Sequence, residues 1–126
     1  MSTHSEIALL LDDGSVISTY CHFDGYIKGT GLELVKSYND PKKIQDLIEG
    51  GALRTILGAV ERLDDEDYST WPNLQTFKKE VNKHGIVEYV YIYKDGKWFV
   101  LDKNDSGFFP LDQHSDIQLA IMTGKV

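Results

Sequence analysis

A chain of 126 residues carrying a net charge of −7 is long enough for one domain and too short for two. The acidic balance argues against a general nucleic-acid binder and against anionic membranes, since both need clustered Lys and Arg; solubility is its plain reading, and imitation of a phosphate backbone the sharper one. The only cysteine, Cys21, excludes an intrachain disulfide and fits a reducing compartment.

The opening residues Met1–Glu6 carry no basic n-region. The apolar run Ile7–Leu11 is too short for a signal core or a bilayer span. A cytosolic location, that of a host cell included, is therefore expected. A first β-hairpin is predicted from Glu6–Asp12 and Ser15–Phe23 around Asp13-Gly14, a dipeptide that favours a two-residue type I′ turn. That turn pairs Leu11 with Val16, Leu9 with Ser18 and Ile7 with Tyr20. Two short helices follow. Leu32, Val35 and Tyr38 mark one apolar stripe. Asp40 as N-cap and Pro41 at the first helical position open the second, with Ile44, Leu47 and Ile48 inward and Gly50-Gly51 as the stop.

Ala52–Ala59 is apolar without a clean period, and Asp64–Asp67 reads as a solvated loop. A third helix is expected to begin between Ser69 and Asn73, near Pro72, with Leu74, Phe77 and Val81 on one side and Gly85 at its end. The second hairpin runs Ile86–Tyr93, turns at Asp95-Gly96 and returns as Lys97–Asp102, which pairs Tyr93 with Trp98, Ile92 with Phe99 and Tyr91 with Val100. In the tail, Ile117–Met122 fits a short helix. The sum is an α+β domain over residues 1–126: a mainly antiparallel sheet from two Asp-Gly β-hairpins, with about three short helices packed on one face.

The densest functional pattern is Tyr20-Cys21-His22-Phe23-Asp24-Gly25-Tyr26. Alternate strand positions place Tyr20, His22 and Asp24 on one side and Cys21 on the other. His22 and Asp24 could polarise water or orient a ligand; the plainer alternative is a structural hydrogen bond. A third ligand at a defined spacing is missing, so no metal is assigned, and no cofactor is implied. Lys28-Gly29-Thr30-Gly31 leads into a helix, where free backbone N–H groups would suit an anion; the alternative is a tight strand-to-helix turn. Tyr20, His22, Asp24, Tyr26, Lys28, Gly29, Thr30 and Gly31 thus form the expected ligand site. Tyr89, Tyr91, Tyr93 and Trp98 share one face of the second hairpin and are expected to form core or, more specifically, the interface of a homo-oligomer. No G-x-S-x-G, H-E-x-x-H, Walker A or calcium-loop pattern occurs. His4, His84 and His114 stand isolated and are given no role.

These residues resemble a family of small phage and prophage proteins that open "DG…YCHWDGY", continue through a glycine-bearing turn and "L…HY", and end a helix in "GDLS-L". The matching pieces are Asp13-Gly14-Ser15, Tyr20–Tyr26, Gly31, Leu34, Ser37-Tyr38, Gly51–Ile56 and the hairpin Glu88–Trp98. Phe23 stands where the family has Trp, no proline follows Tyr26, and Ala52 replaces an acidic residue. The resemblance implies a setting among phage accessory genes, whose small products often blunt host defences by occluding a defence protein or sequestering a nucleotide signal. The leading expectation is a non-enzymatic accessory protein that binds and sequesters a nucleotide-derived small molecule. The alternatives are an acidic inhibitor of a host defence protein and a small hydrolase using His22 and Asp24.

Overall fold

The computed structural model describes residues 3–64, 66–83, 85–102 and 107–124. Asp65 of the expected acidic loop, His84, and the termini and segment 103–106 lie outside the described residues. The strands are β1 (Ser5–Leu10), β2 (Val16–Cys21), β3 (Leu53–Thr55), β4 (Glu61–Arg62), β5 (Ser69–Trp71), β6 (Tyr89–Lys94), β7 (Lys97–Asp102) and β8 (Phe109–Pro110). The helices are α1 (Leu32–Ser37), entered through a π-turn at Ile27–Gly31, then α2 (Pro41–Glu49), α3 (Leu74–Glu80) and α4 (Ser115–Met122). The sheet order is β4-β3-β2-β1-β6-β7-β8, with β5 paired to β2. β1–β6 and β2–β3 are parallel, and the remaining pairs are antiparallel. The α+β fold with a mainly antiparallel sheet is therefore as the sequence predicts.

The two Asp-Gly turns differ. Asp95 (φ 53°) and Gly96 (φ 81°) are both left-handed, so the second hairpin has the type I′ turn and pairs Tyr93 with Trp98 as expected. In the first, only Gly14 (φ 90°) is left-handed. The Asp13 carboxylate accepts from the Ser15 N–H at 2.9 Å and from Ser15 Oγ at 2.6 Å. Leu11 N–H donates to the Ser15 carbonyl at 2.8 Å. The loop thus holds three residues, Asp12 to Gly14, the next commonest hairpin solution. The register moves by one relative to the expectation: Leu10 faces Val16, Ala8 faces Ser18, and Glu6, in place of Ile7, faces Tyr20. A shift of one exchanges the faces that the two strands share.

Both faces of the sheet are covered. Ile7, Leu9, Ile17 and Cys21 join Tyr91, Tyr93, Trp98 and Val100 beneath Leu34 of α1, Ile44, Leu47 and Ile48 of α2, and Ile117 of α4. Ala8, Val16, Val90 and Ile92 form the other face with Phe77 of α3. The helices therefore lie on two faces, which corrects the one-face expectation. Each fully buried Leu, Ile or Phe contributes roughly 1.5–3 kcal/mol. The helix α2 starts as predicted, with Asp40 Oδ1 accepting from the Lys42 N–H at 3.1 Å, and Gly51 (φ 96°) follows its end. The third helix starts later than expected. Asn73 caps it, and Ser69–Trp71 is drawn into the sheet against Val16–Ser18. No helix among the described residues is long and apolar enough to cross a membrane.

Candidate functional site

The run Tyr20–Tyr26 carries the chain off the end of β2 and round a corner. His22 and Phe23 N–H groups bond the Leu53 and Arg54 carbonyls at 2.9 and 2.8 Å, extending β2 alongside β3. Asp24 then adopts φ 61°, an unusual conformation for a residue with a Cβ. The reversal lets Gly25 pass beneath the start of β1, where its N–H reaches the Thr3 carbonyl at 2.9 Å. A Cβ on Gly25 would stand 2.7 Å from that carbonyl oxygen, so the position accepts only glycine without backbone movement.

Tyr20 and His22 do share a side, as strand alternation predicts. The Tyr20 hydroxyl and His22 Nδ1 are hydrogen-bonded at 2.8 Å. His4 completes the group: its Nδ1–H donates to the His22 carbonyl at 2.7 Å, and its ring stacks on that of His22 at 4.6 Å. Asp24 leaves this group, because its left-handed backbone breaks the strand. Its Oδ2 accepts instead from Thr55 Oγ1 at 3.3 Å. The expected His22–Asp24 pair is thus not formed. No group of three or more His, Cys, Asp or Glu suited to a metal occurs among the described residues.

The glycine-rich turn is closed. Gly29 and Gly31 N–H groups bond the Tyr26 carbonyl at 3.0 and 3.5 Å, and Thr30 N–H bonds the Asp24 carbonyl at 2.8 Å. Thr30 Oγ1 donates to the same carbonyl at 2.8 Å. Gly29, Thr30 and Gly31 are buried, whereas Tyr26 and Lys28 are exposed. These amides therefore have no free N–H to present to a phosphate, which overturns the anion cradle expected there. The glycines serve packing: a Cβ on Gly29 would lie 2.5 Å from the Asp24 carbonyl oxygen, and one on Gly31 would lie 3.2 Å from the Tyr91 ring. Gly29→Ala should accordingly destabilise the protein by about 1–3 kcal/mol, measured by urea unfolding. A stability unchanged by that substitution would show that the turn has room for the added methyl group.

The aromatic face of the second hairpin lies in the interior. Tyr91, Tyr93 and Trp98 are buried, and Tyr89 packs partly buried against the same cluster. Trp98 Nε1 donates to the Tyr38 carbonyl at 2.8 Å, and the Tyr91 hydroxyl to the Gly25 carbonyl at 2.7 Å. The chain's own helices cover the surface expected to join two copies, so the core reading of these four residues replaces the interface reading.

Two groupings emerge that the sequence analysis did not isolate. One is a cleft of about 250 Å³ between the π-turn and α4, lined by Lys28, Leu32, Asp116, Leu119, Ala120 and Thr123. Lys28 and Asp116 have no ion-pair partner among the described residues. Of the expected ligand set, Lys28 is the member that reaches this cleft. The other grouping lies on the α3 face. Glu6 is 9% exposed, and its Oε2 accepts from Ser18 Oγ at 2.6 Å. Ser18 Oγ in turn accepts from Trp71 Nε1 at 2.9 Å. Burial pushes the Glu6 carboxyl up to about 7, against a smaller lowering by the Ser18 hydrogen bond. The available signal was a glutamate alternating with Ala8 and Leu10 on one strand face.

Comparison with protein-family models, with curated proteins and with solved structures finds no match for this chain.

Proposed function

We propose that the protein is a non-enzymatic binding protein of the phage-accessory kind, which sequesters a nucleotide-derived small molecule in the cleft between the π-turn and α4. One observation carries this reading: a concave site with apolar walls at Leu32, Leu119 and Ala120 holds a single ammonium, a single carboxylate and one hydroxyl, from Lys28, Asp116 and Thr123. An apolar cleft with a few polar groups is the usual form of a small-molecule site. A flat base can lie against the aliphatic walls. The Asp116 carboxylate accepts from an amino group of such a base, and Lys28 faces a phosphate. The hydrolase alternative has lost its dyad, because Asp24 is engaged by Thr55.

A thermal-shift screen with cyclic nucleotides and ADP-ribose derivatives tests the proposal. A ligand at about 100 Kd adds roughly 2.7 kcal/mol to stability. Lys28→Glu should abolish the shift for anionic ligands while leaving the melting temperature of the free protein unchanged, because Lys28 is exposed. The ligand should be recovered intact from the complex; recovery of a cleaved product would mean turnover. The second reading, an acidic inhibitor of a host defence protein, draws on Leu119, Ile121 and Met122, which are 51%, 44% and 81% exposed along α4. Apolar groups gathered at a surface mark protein contacts. A screen in which no nucleotide raises the melting temperature removes the first reading and leaves the second.

A further inference from the structure

The hydrogen-bond chain from Trp71 through Ser18 to Glu6 crosses three strands, β5, β2 and β1. Trp71 also packs edge-on against Phe77 of α3, with ring centroids 5.5 Å apart. Its indole N–H is thus a side-chain link between the β5–α3 layer and the middle of the sheet. The far end of the chain is a buried carboxyl. Ala8, Ser18, Tyr20 and Val90 flank Glu6 on this face, and it has no ion-pair partner among the described residues.

The ionisable groups nearby are few. On its own strand side stands His4, β2 supplies Tyr20 and His22, and Glu66, in the segment before β5, adds negative charge near Tyr20. Glu88 precedes β6, its N–H bonded to the His4 carbonyl at 2.9 Å. β5 contributes only Ser, Thr and Trp. α3 turns Leu74 and Phe77 toward the face and keeps Lys78 and Lys79 exposed. Among the described residues, the part of this layer that packs on the sheet is apolar, Lys78 lies over the Phe108 ring, and Glu6 has no ion-pair partner.

We propose that Glu6, Ser18 and Trp71 form a proton-operated latch, closed while the Glu6 carboxyl is neutral and loosened when it ionises, that holds the β5–α3 layer on the sheet. Ionisation places a carboxylate where burial disfavours charge. Water relieves that cost most readily by entering beneath the thinnest cover, the three-residue strand β5 and the seven-residue helix α3. Such short elements open locally at less cost than the central strands. The carboxyl exchanges its proton with solvent; as the layer lifts, the Trp71 indole N–H passes from Ser18 Oγ to the entering water, while Ser18 Oγ keeps donating to Glu6.

The test follows the two indole N–H resonances by NMR, together with amide exchange in α3 corrected for its intrinsic pH dependence. A Trp71→Phe variant assigns the indole signals. In the wild-type chain the Trp71 signal should titrate with a midpoint near 7, where Glu6 loses its proton. Protection of the α3 amides should fall roughly tenfold or more over the same range, and the Trp98 signal should stay flat. In Glu6→Gln both responses should vanish. Glu6→Leu serves as a second neutral variant if the first does not fold. A Trp71 signal flat with pH overturns the latch. So does a response that survives in the neutral variants, which would belong to a group other than Glu6. A titrating Trp71 signal over unchanged α3 protection also overturns it, by showing that the carboxyl ionises without moving the layer.

Discussion

Glu6→Gln is expected to stabilise the protein by about 3 kcal/mol at pH 8 and to change little below pH 4.5, the contrast arising from one buried carboxyl. Its ordinary value of 4.5 rises to about 7 in the folded chain, with desolvation as the main cause. The folded state therefore holds this proton more tightly than the unfolded state does. Between pH 4.5 and 7 the folded chain carries the extra proton, so stability falls as pH rises through that window. Above 7 the full penalty is present, and the shift converts to about 3 kcal/mol. Glutamine carries no proton and keeps an oxygen for the Ser18 hydroxyl, so the variant escapes the penalty. Urea unfolding of both proteins at the two pH values checks the result. An equal difference at both would mean that the Glu6 carboxyl is hydrated in the folded chain.

Trp98→Ala is expected to cost about 3–5 kcal/mol, the range for removing a large aromatic side chain from a core. Trp98 is 3% exposed. It meets Tyr93 edge to face at 5.4 Å, and its indole N–H satisfies the Tyr38 carbonyl. The substitution empties that volume and leaves the carbonyl without its donor. Unfolding should shift to lower urea at every protein concentration. If the aromatic face instead joined two copies, the loss would appear as a concentration-dependent change in mass by light scattering, with the stability of the monomer little altered.

Local chemistry was legible from the residues. Asp40-Pro41 opens α2, Gly51 follows it, and Asp95-Gly96 makes the I′ turn, because each of these depends on the conformational freedom of a few neighbouring atoms. The alternation of Tyr91, Tyr93 and Trp98 was legible too, but not what would cover them. That depended on α1 and α2 folding back over the strands. The first hairpin shows why the candidate site was not legible in the sequence. The Asp13–Ser15 hydrogen bonds accompany a three-residue loop, and the single-residue change of register placed Glu6 and His4 beside Tyr20 and His22. Asp24 looked like the partner of His22 until its left-handed backbone carried it to Thr55.

The sequence by itself determined the α+β class, the places of the two turns, the type of the second, the start of α2 and the pairing of the second hairpin, since period and turn chemistry act over a few residues. The tertiary structure alone decided the register of the first hairpin, the closure of the glycine turn, the burial of the aromatic face, and the placing of Lys28 and Asp116 in the lining of one cleft. Those outcomes depend on contacts between segments far apart in the chain, where the packing of one element sets which donors, charges and apolar faces remain for the next.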